Sequence, residues 1–184
     1  TGKSFISLYL GLDELINGNS NYDKILIIRS VVPTRDMGFL PGNTKEKAKA
    51  YESPYYAIFT ELFGRSDAYD YMKNKNQVEF MTTSFIRGVT FNNAIIMVDE
   101  MQNLNFHELD SVVTRVGQDC KLLMCGDYYQ SDFEKEKDKN GILMFMNIIE
   151  QLKHFTTVEF GWEDIVRSDF VRDYIMTKEM LGIK

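Results

Sequence analysis

Cysteine, histidine, tryptophan and proline are scarce: two, two, one and three in 184 residues. Cys120 and Cys125 flank the apolar Lys121–Met124 segment with no histidine or second cysteine pair beside them. That spacing excludes a tetrahedral zinc site. The two thiols read instead as buried and reduced, as in a cytosol. With so little histidine and no Ser/His/Asp constellation, nucleophilic hydrolysis has little support. No apolar run is long enough to cross a bilayer, so no membrane partner is expected. Positive charge is lacking too. Lys and Arg number 21 against 27 Asp and Glu, a net charge of −6, which gives no broad basic field. Any nucleic-acid contact is therefore confined to a local groove.

What is present is ordinary for a folded domain: 44% hydrophobic and 26% charged residues. The length suits one α/β domain with a full core, and no linker divides residues 1–184. The organising stretch is Ala94-Ile95-Ile96-Met97-Val98-Asp99-Glu100-Met101-Gln102-Asn103. Five uncharged residues run without alternation into two adjacent acids. Such a run reads as a strand buried on both faces. Asp99 and Glu100 then stand at its carboxyl end, where open α/β sheets bind ligands. Two acids at a buried strand end need an electrostatic reason, such as a metal ion.

Around it, strands and helices alternate. Helix is expected from Ser4 to about Asn17, from Thr44 to Phe63, over Asp67–Lys73, Phe106–Val116, Gly141–Leu152 and Val171–Leu181. Pro54 should break or kink the second of these. Asn105 with Glu108 three residues on suggests a capping box. Strands are expected at Lys24–Arg29, Gln77–Thr83, Ala94–Asp99, Lys121–Asp127 and Thr156–Phe160. The alternation predicts a mostly parallel sheet with helices on both faces.

Thr1-Gly2-Lys3-Ser4 before a helix matches the second half of the phosphate-binding loop G-x-x-x-x-G-K-[ST]. Backbone N–H groups at a helix start bind anions. Gly2 lets the backbone approach, Lys3 places an ammonium on the β- and γ-phosphates, and the Ser4 hydroxyl ligates Mg²⁺. A fold rarely starts on its own ligand-binding residues, so a fragment lacking the first strand is expected. Asp99 completes the metal site of such a nucleoside triphosphatase, and Glu100 orients the attacking water. Asp99-Glu100-Met101-Gln102 has the helicase-like D-E-x-Q pattern, which adds Gln102 to the nucleotide site. Gly126-Asp127-Tyr128-Tyr129-Gln130 follows its own buried strand; Gln130 could sense the γ-phosphate, although such a string is also an ordinary turn.

These strings together resemble the PhoH-like family, phosphate-starvation-inducible ATPases related to superfamily-one helicases. The stretches that carry the resemblance are TGKS, DMGFLPGNTKEKAKAYESPYY, SFIRGVTFNNAIIMVDEMQN, GDYYQSD and EDIVRSDFV, from Thr1 to about Val171. The resemblance implies a RecA-like P-loop NTPase core, ATP binding with Mg²⁺, hydrolysis, and a role linked to RNA or DNA. Lys3, Ser4, Asp99, Glu100 and Gln130 match its nucleotide-handling positions. The Asn- and Lys-rich composition would suit a phage-encoded version.

Arg167 reads equally as an arginine finger, in cis or across a subunit interface, and as an ion-pair partner of Glu163 or Asp164. Arg87 reads more simply as a surface arginine than as a phosphate contact. Tyr51, Tyr55, Tyr56, Phe59 and Phe63 recur at helical spacing and read as core rather than a base-stacking platform. The rival to an ATPase is a nucleotide-gated module that switches on a nucleic acid or protein partner with little turnover. One RecA-like domain disfavours unwinding by a monomer but permits a homo-oligomeric ring or filament.

Overall fold

A computed structural model of the protein describes residues 2–18, 21–30, 44–127 and 136–182. In chain order the elements are α1 (Lys3–Asn17), β1 (Lys24–Arg29), α2 (Thr44–Phe63), α3 (Ala68–Asn74), β2 (Val78–Thr82), β3 (Ala94–Asp99), α4 (Phe106–Val113), β4 (Cys120–Met124), α5 (Glu136–Ile149) and α6 (Asp169–Met180). The four strands form one sheet in the order β2-β1-β3-β4. Every pairing is parallel, with Ile28 beside Val98, Arg29 beside Asp99, and Val98 beside Met124. The expected α/β architecture is the one observed.

The uninterrupted apolar runs of β1 and β3 exist because both faces of these central strands are covered. All six residues of β3 are buried. Alternate side chains serve opposite cores. Ile25, Ile27, Ile95 and Met97 pack with Leu8 and Leu12 of α1, Tyr55 and Phe59 of α2, and Tyr69 and Met72 of α3. Leu26, Ile28, Ile96 and Val98 pack on the other face with Leu109 and Val112 of α4 and Ile142, Phe145 and Ile149 of α5. Helices α1 and α4 therefore lie on opposite faces, and their amino termini follow or flank the carboxyl edge of the sheet.

Two expectations are corrected here. Thr156–Phe160 is not a strand: the segment makes no ladder and its Val158 is 73% exposed. Its β-branched residues favour an extended backbone, but a strand also needs a neighbour, and none of the four described strands pairs with it. Of the two outcomes expected at Pro54, the break is the one overturned: α2 runs through it. An interior proline costs about 3 kcal/mol. Tyr55 and Phe59, both wholly buried just beyond it, offset that cost at about 2 kcal/mol each. Smaller differences concern boundaries: α4 stops at Val113 and α5 begins ahead of Gly141. The capping box is complete, with Asn105 Oδ1 accepting from the Glu108 N–H and Glu108 Oε2 accepting from the Asn105 N–H.

Candidate active site at the carboxyl edge of the sheet

The start of α1 and the end of β3 meet. Gly2 precedes α1 with φ of 82°, a left-handed conformation that glycine adopts without a Cβ penalty. The turn this makes sets Lys3 and Ser4 on the first turn of the helix. Ser4 Oγ donates to Asp99 Oδ1 at 2.7 Å, across 95 residues of sequence. Lys3 Nζ lies 3.8 Å from Asp127 Oδ2, just beyond β4. Thus the lysine, the serine and the strand-end acids share one edge of one sheet, as their motif reading requires.

Asp99 is buried at 4% exposure. Its second oxygen, Oδ2, accepts from the Tyr55 hydroxyl at 2.8 Å. Burial is the main cause that holds the Tyr55 hydroxyl far above the usual tyrosine range, with the Asp99 charge adding to it and the nearby Arg29 guanidinium opposing it. The phenol is therefore a permanent donor to the carboxylate. Buried tyrosine hydroxyls find partners, and this one was missed in the sequence because the spacing of α2 reports only its apolar face.

Glu100 follows in a left-handed conformation, φ 51° and ψ 45°, which costs a residue with a Cβ about 1–2 kcal/mol. Its neighbours over-determine it. The Met101 N–H donates to the Cys125 carbonyl at 2.9 Å, and Gln102 Nε2 donates to Glu100 Oε2. Gln102 is itself buried, and its Oε1 accepts from the Asp127 N–H at 3.0 Å. This amide therefore ties the end of β3 to the end of β4. Gly126 makes that possible: a Cβ there would lie 2.4 Å from Met101 Cγ and 2.8 Å from Gln102 Oε1. The small residue read from the sequence as part of a turn is a close-approach glycine.

Cys125 lies beneath the same edge, with Sγ 3.0 Å from Ser7 Oγ. Burial pushes its thiol up to about 11, with Asp99 adding and Ser7 opposing. A raised folded-state value means the unfolded chain releases this proton first. Stability is then full below the ordinary thiol range and falls as pH rises from about 9 toward about 11. Between about pH 8 and about pH 10, urea denaturation should show the wild type losing about 1 kcal/mol more than Cys125→Ala. Parallel losses in the two proteins would contradict this.

The remaining expected residues are distributed as follows. Thr1, Gln130 and the DMGFLPGN part of the stretch DMGFLPGNTKEKAKAYESPYY lie outside the described residues. Arg167 is exposed in the loop ahead of α6. Among the described residues neither acid expected to pair with it does so: Asp164 Oδ2 accepts from the Gly161 N–H, and no ion pair joins Arg167 to Glu163. Arg87 is exposed and lines a cleft with Thr83, Asn105, His107 and Arg115, beyond the end of β2. The aromatic residues of α2 are divided between roles: Tyr55 and Phe59 are core, Phe63 is exposed.

The donor set has a recognisable chemistry. Ser4 and Asp99 offer oxygen ligands alone. Among the described residues no group of three or more His, Cys, Asp and Glu could hold a metal by itself. The oxygen pair of Ser4 and Asp99 is of the kind that suits Mg²⁺, which binds through one or two protein oxygens together with substrate phosphates and retained water. Among the described residues no helix is long and apolar enough to cross a membrane.

Comparison with known proteins places the chain in a family. A family model described as PhoH-like protein matches residues 1–178. The chain is 28% identical over 180 residues to a PhoH-like protein of Synechocystis, covering 97% of this chain and 54% of that protein. It is 31% identical over 169 residues to Protein PhoH of Escherichia coli K12, covering 91% and 47%. It is 33% identical over 159 residues to Protein PhoH2 of Bacillus subtilis, covering 83% and 35%. The chain spans about half the length of the first two and about a third of the last.

Proposed function

The chain belongs to the PhoH-like family, a family with the P-loop NTPase fold, and from that premise and the edge geometry we propose that it binds ATP with Mg²⁺ and hydrolyses it, with hydrolysis coupled to RNA or DNA. The observation that carries the reading is the 2.7 Å contact of Ser4 Oγ with Asp99 Oδ1, with Lys3 one residue away.

Lys3 exchanges Asp127 for the β- and γ-phosphates, a stronger anion for its ammonium. Gly2 presents its backbone N–H to the same phosphates. With Mg²⁺ bound, Ser4 would hold it through an oxygen lone pair while its hydrogen stays on Asp99, and Asp99 would hold it through water. Magnesium, when bound with the nucleotide, neutralises charge that develops on the β- and γ-oxygens. Glu100 accepts a proton from the attacking water as its oxygen bonds the γ-phosphorus and the bond to the bridging oxygen breaks. Gln102 keeps Glu100 aimed and links it to β4, while Gln130 reports the loss of the γ-phosphate. Arg167, exposed and unpaired among the described residues, serves as an arginine finger for a neighbouring copy.

The test is ATP turnover with and without single-stranded RNA or DNA. Mg²⁺-dependent turnover that rises severalfold with nucleic acid is expected. ATP binding with neither basal nor stimulated turnover would instead favour a nucleotide-gated binding module.

A further inference from the structure

We propose that Tyr55 is a positioning residue for Asp99, its hydroxyl pinning one carboxylate oxygen so that the other stays turned toward Ser4 and the Mg²⁺ of a bound nucleotide. The inference rests on the nucleotide reading above and names a residue outside the motifs that support it.

Among the described residues Asp99 has two donors, one on each of its oxygens. Ser4 Oγ holds Oδ1 at 2.7 Å and Tyr55 Oη holds Oδ2 at 2.8 Å. The terminal torsion of an aspartate is broad and roughly two-fold. One hydrogen bond leaves the carboxylate free to swing about that contact; two on different oxygens fix its plane. The two donors also come from different places. Ser4 belongs to the phosphate-loop helix, whereas Tyr55 belongs to α2, which packs with α3 and the β1–β3 face.

The tyrosine is built to deliver its hydroxyl. Its side chain is wholly buried, and its ring centroid lies 5.9 Å from that of Phe80 on β2. Packing so complete fixes the ring, and with it the position of the hydroxyl. Packing alone does not call for the oxygen, since phenylalanine fills nearly the same volume. Burying a hydroxyl costs about 1–3 kcal/mol unless it is bonded; this one donates to Asp99 Oδ2 at 2.8 Å, with the Arg29 guanidinium also beside it. Mg²⁺ demands near-ideal octahedral geometry, so the water that Asp99 would hold on it must be aimed as closely as a direct ligand. Partners that orient metal-site ligands are typically worth about 10–100-fold in metal affinity.

The experiment is a Mg²⁺ titration of the binding of a fluorescent ADP analogue to wild type and Tyr55→Phe, with urea denaturation of both. Tyr55→Phe should need about tenfold more Mg²⁺ for half-maximal binding. At saturating Mg²⁺ its nucleotide affinity should lie within about twofold of wild type. A purely structural role would lower the denaturation midpoint and leave the Mg²⁺ requirement unchanged, and that result would overturn the inference. Should Tyr55→Phe fail to fold, Tyr55→Met also lacks the hydroxyl and can fill the gap flexibly; the same shift is expected of it. A wild type that binds the analogue with Mg²⁺, beside variants with an unaltered requirement, rejects the role of Tyr55 alone. A wild type that binds no nucleotide under any Mg²⁺ concentration rejects the functional reading and this inference together.

Discussion

Replacing Glu100 by glutamine is expected to leave Mg-ATP affinity within about twofold and to lower turnover about 10³-fold, about 4 kcal/mol in the barrier. The two halves of that expectation have separate causes. Glutamine has the size of glutamate, and its amide oxygen can still accept from Gln102 Nε2, as the Glu100 carboxylate does. The left-handed backbone at Glu100 is imposed by its neighbours rather than by the side chain, so the fold of the strand end survives. What the amide cannot do is take a proton from water. Single-turnover kinetics with a parallel binding titration separate the two effects. Turnover within tenfold of wild type would remove Glu100 from the chemistry and leave its hydrogen bond to Gln102 as a structural link only.

Lys3→Ala should reverse the pattern, weakening nucleotide binding about 10²–10³-fold while barely changing stability. The lysine is part-exposed and its contact with Asp127 is long, at 3.8 Å. Such pairs contribute about 1 kcal/mol or less. Its contribution with nucleotide bound is larger, because hydrogen bonds to charged groups are worth about 1.5–3 kcal/mol each and the ammonium can reach two phosphates. Arginine should not restore affinity, since a planar fork on a longer stem does not replace a compact charge. Calorimetric titration with Mg-ADP reads the effect. Equal affinities for wild type and Lys3→Ala would show that the α1 terminus does not carry the phosphates.

Much of this was visible in the residues. The unbroken apolar run into Asp99-Glu100 announced a strand covered on both faces, and β3 is buried throughout. The helix after Gly2, the box at Asn105 and the alternation that gives a parallel sheet were legible for the same reason: each is a local pattern with one dominant cause. What was not legible depends on partners remote in sequence. Val158 and its neighbours have strand-like residues and, among the described residues, no ladder to join. Pro54 has the residue type of a helix breaker, but the burial of Tyr55 and Phe59 outweighs it. The hydroxyl of Tyr55 meets Asp99 across 44 residues, and helical spacing says nothing of it. One clue lay within reach: a tyrosine on an apolar face carries a polar atom that burial must satisfy. Gly126 likewise reads as a turn until the close passage of Gln102 shows why a side chain is excluded there.

The central claim is that Lys3, Ser4 and Asp99 together seat a Mg-nucleotide at the carboxyl edge of the sheet. A crystal structure of the protein with Mg²⁺ and a non-hydrolysable ATP analogue tests it most directly. The account predicts the β- and γ-phosphates against Lys3 Nζ, and a metal about 2.1 Å from Ser4 Oγ with Asp99 bonded to its water. A nucleotide seated elsewhere, for instance in the cleft of Thr83, Arg87 and Arg115, with Lys3 still on Asp127, would contradict it.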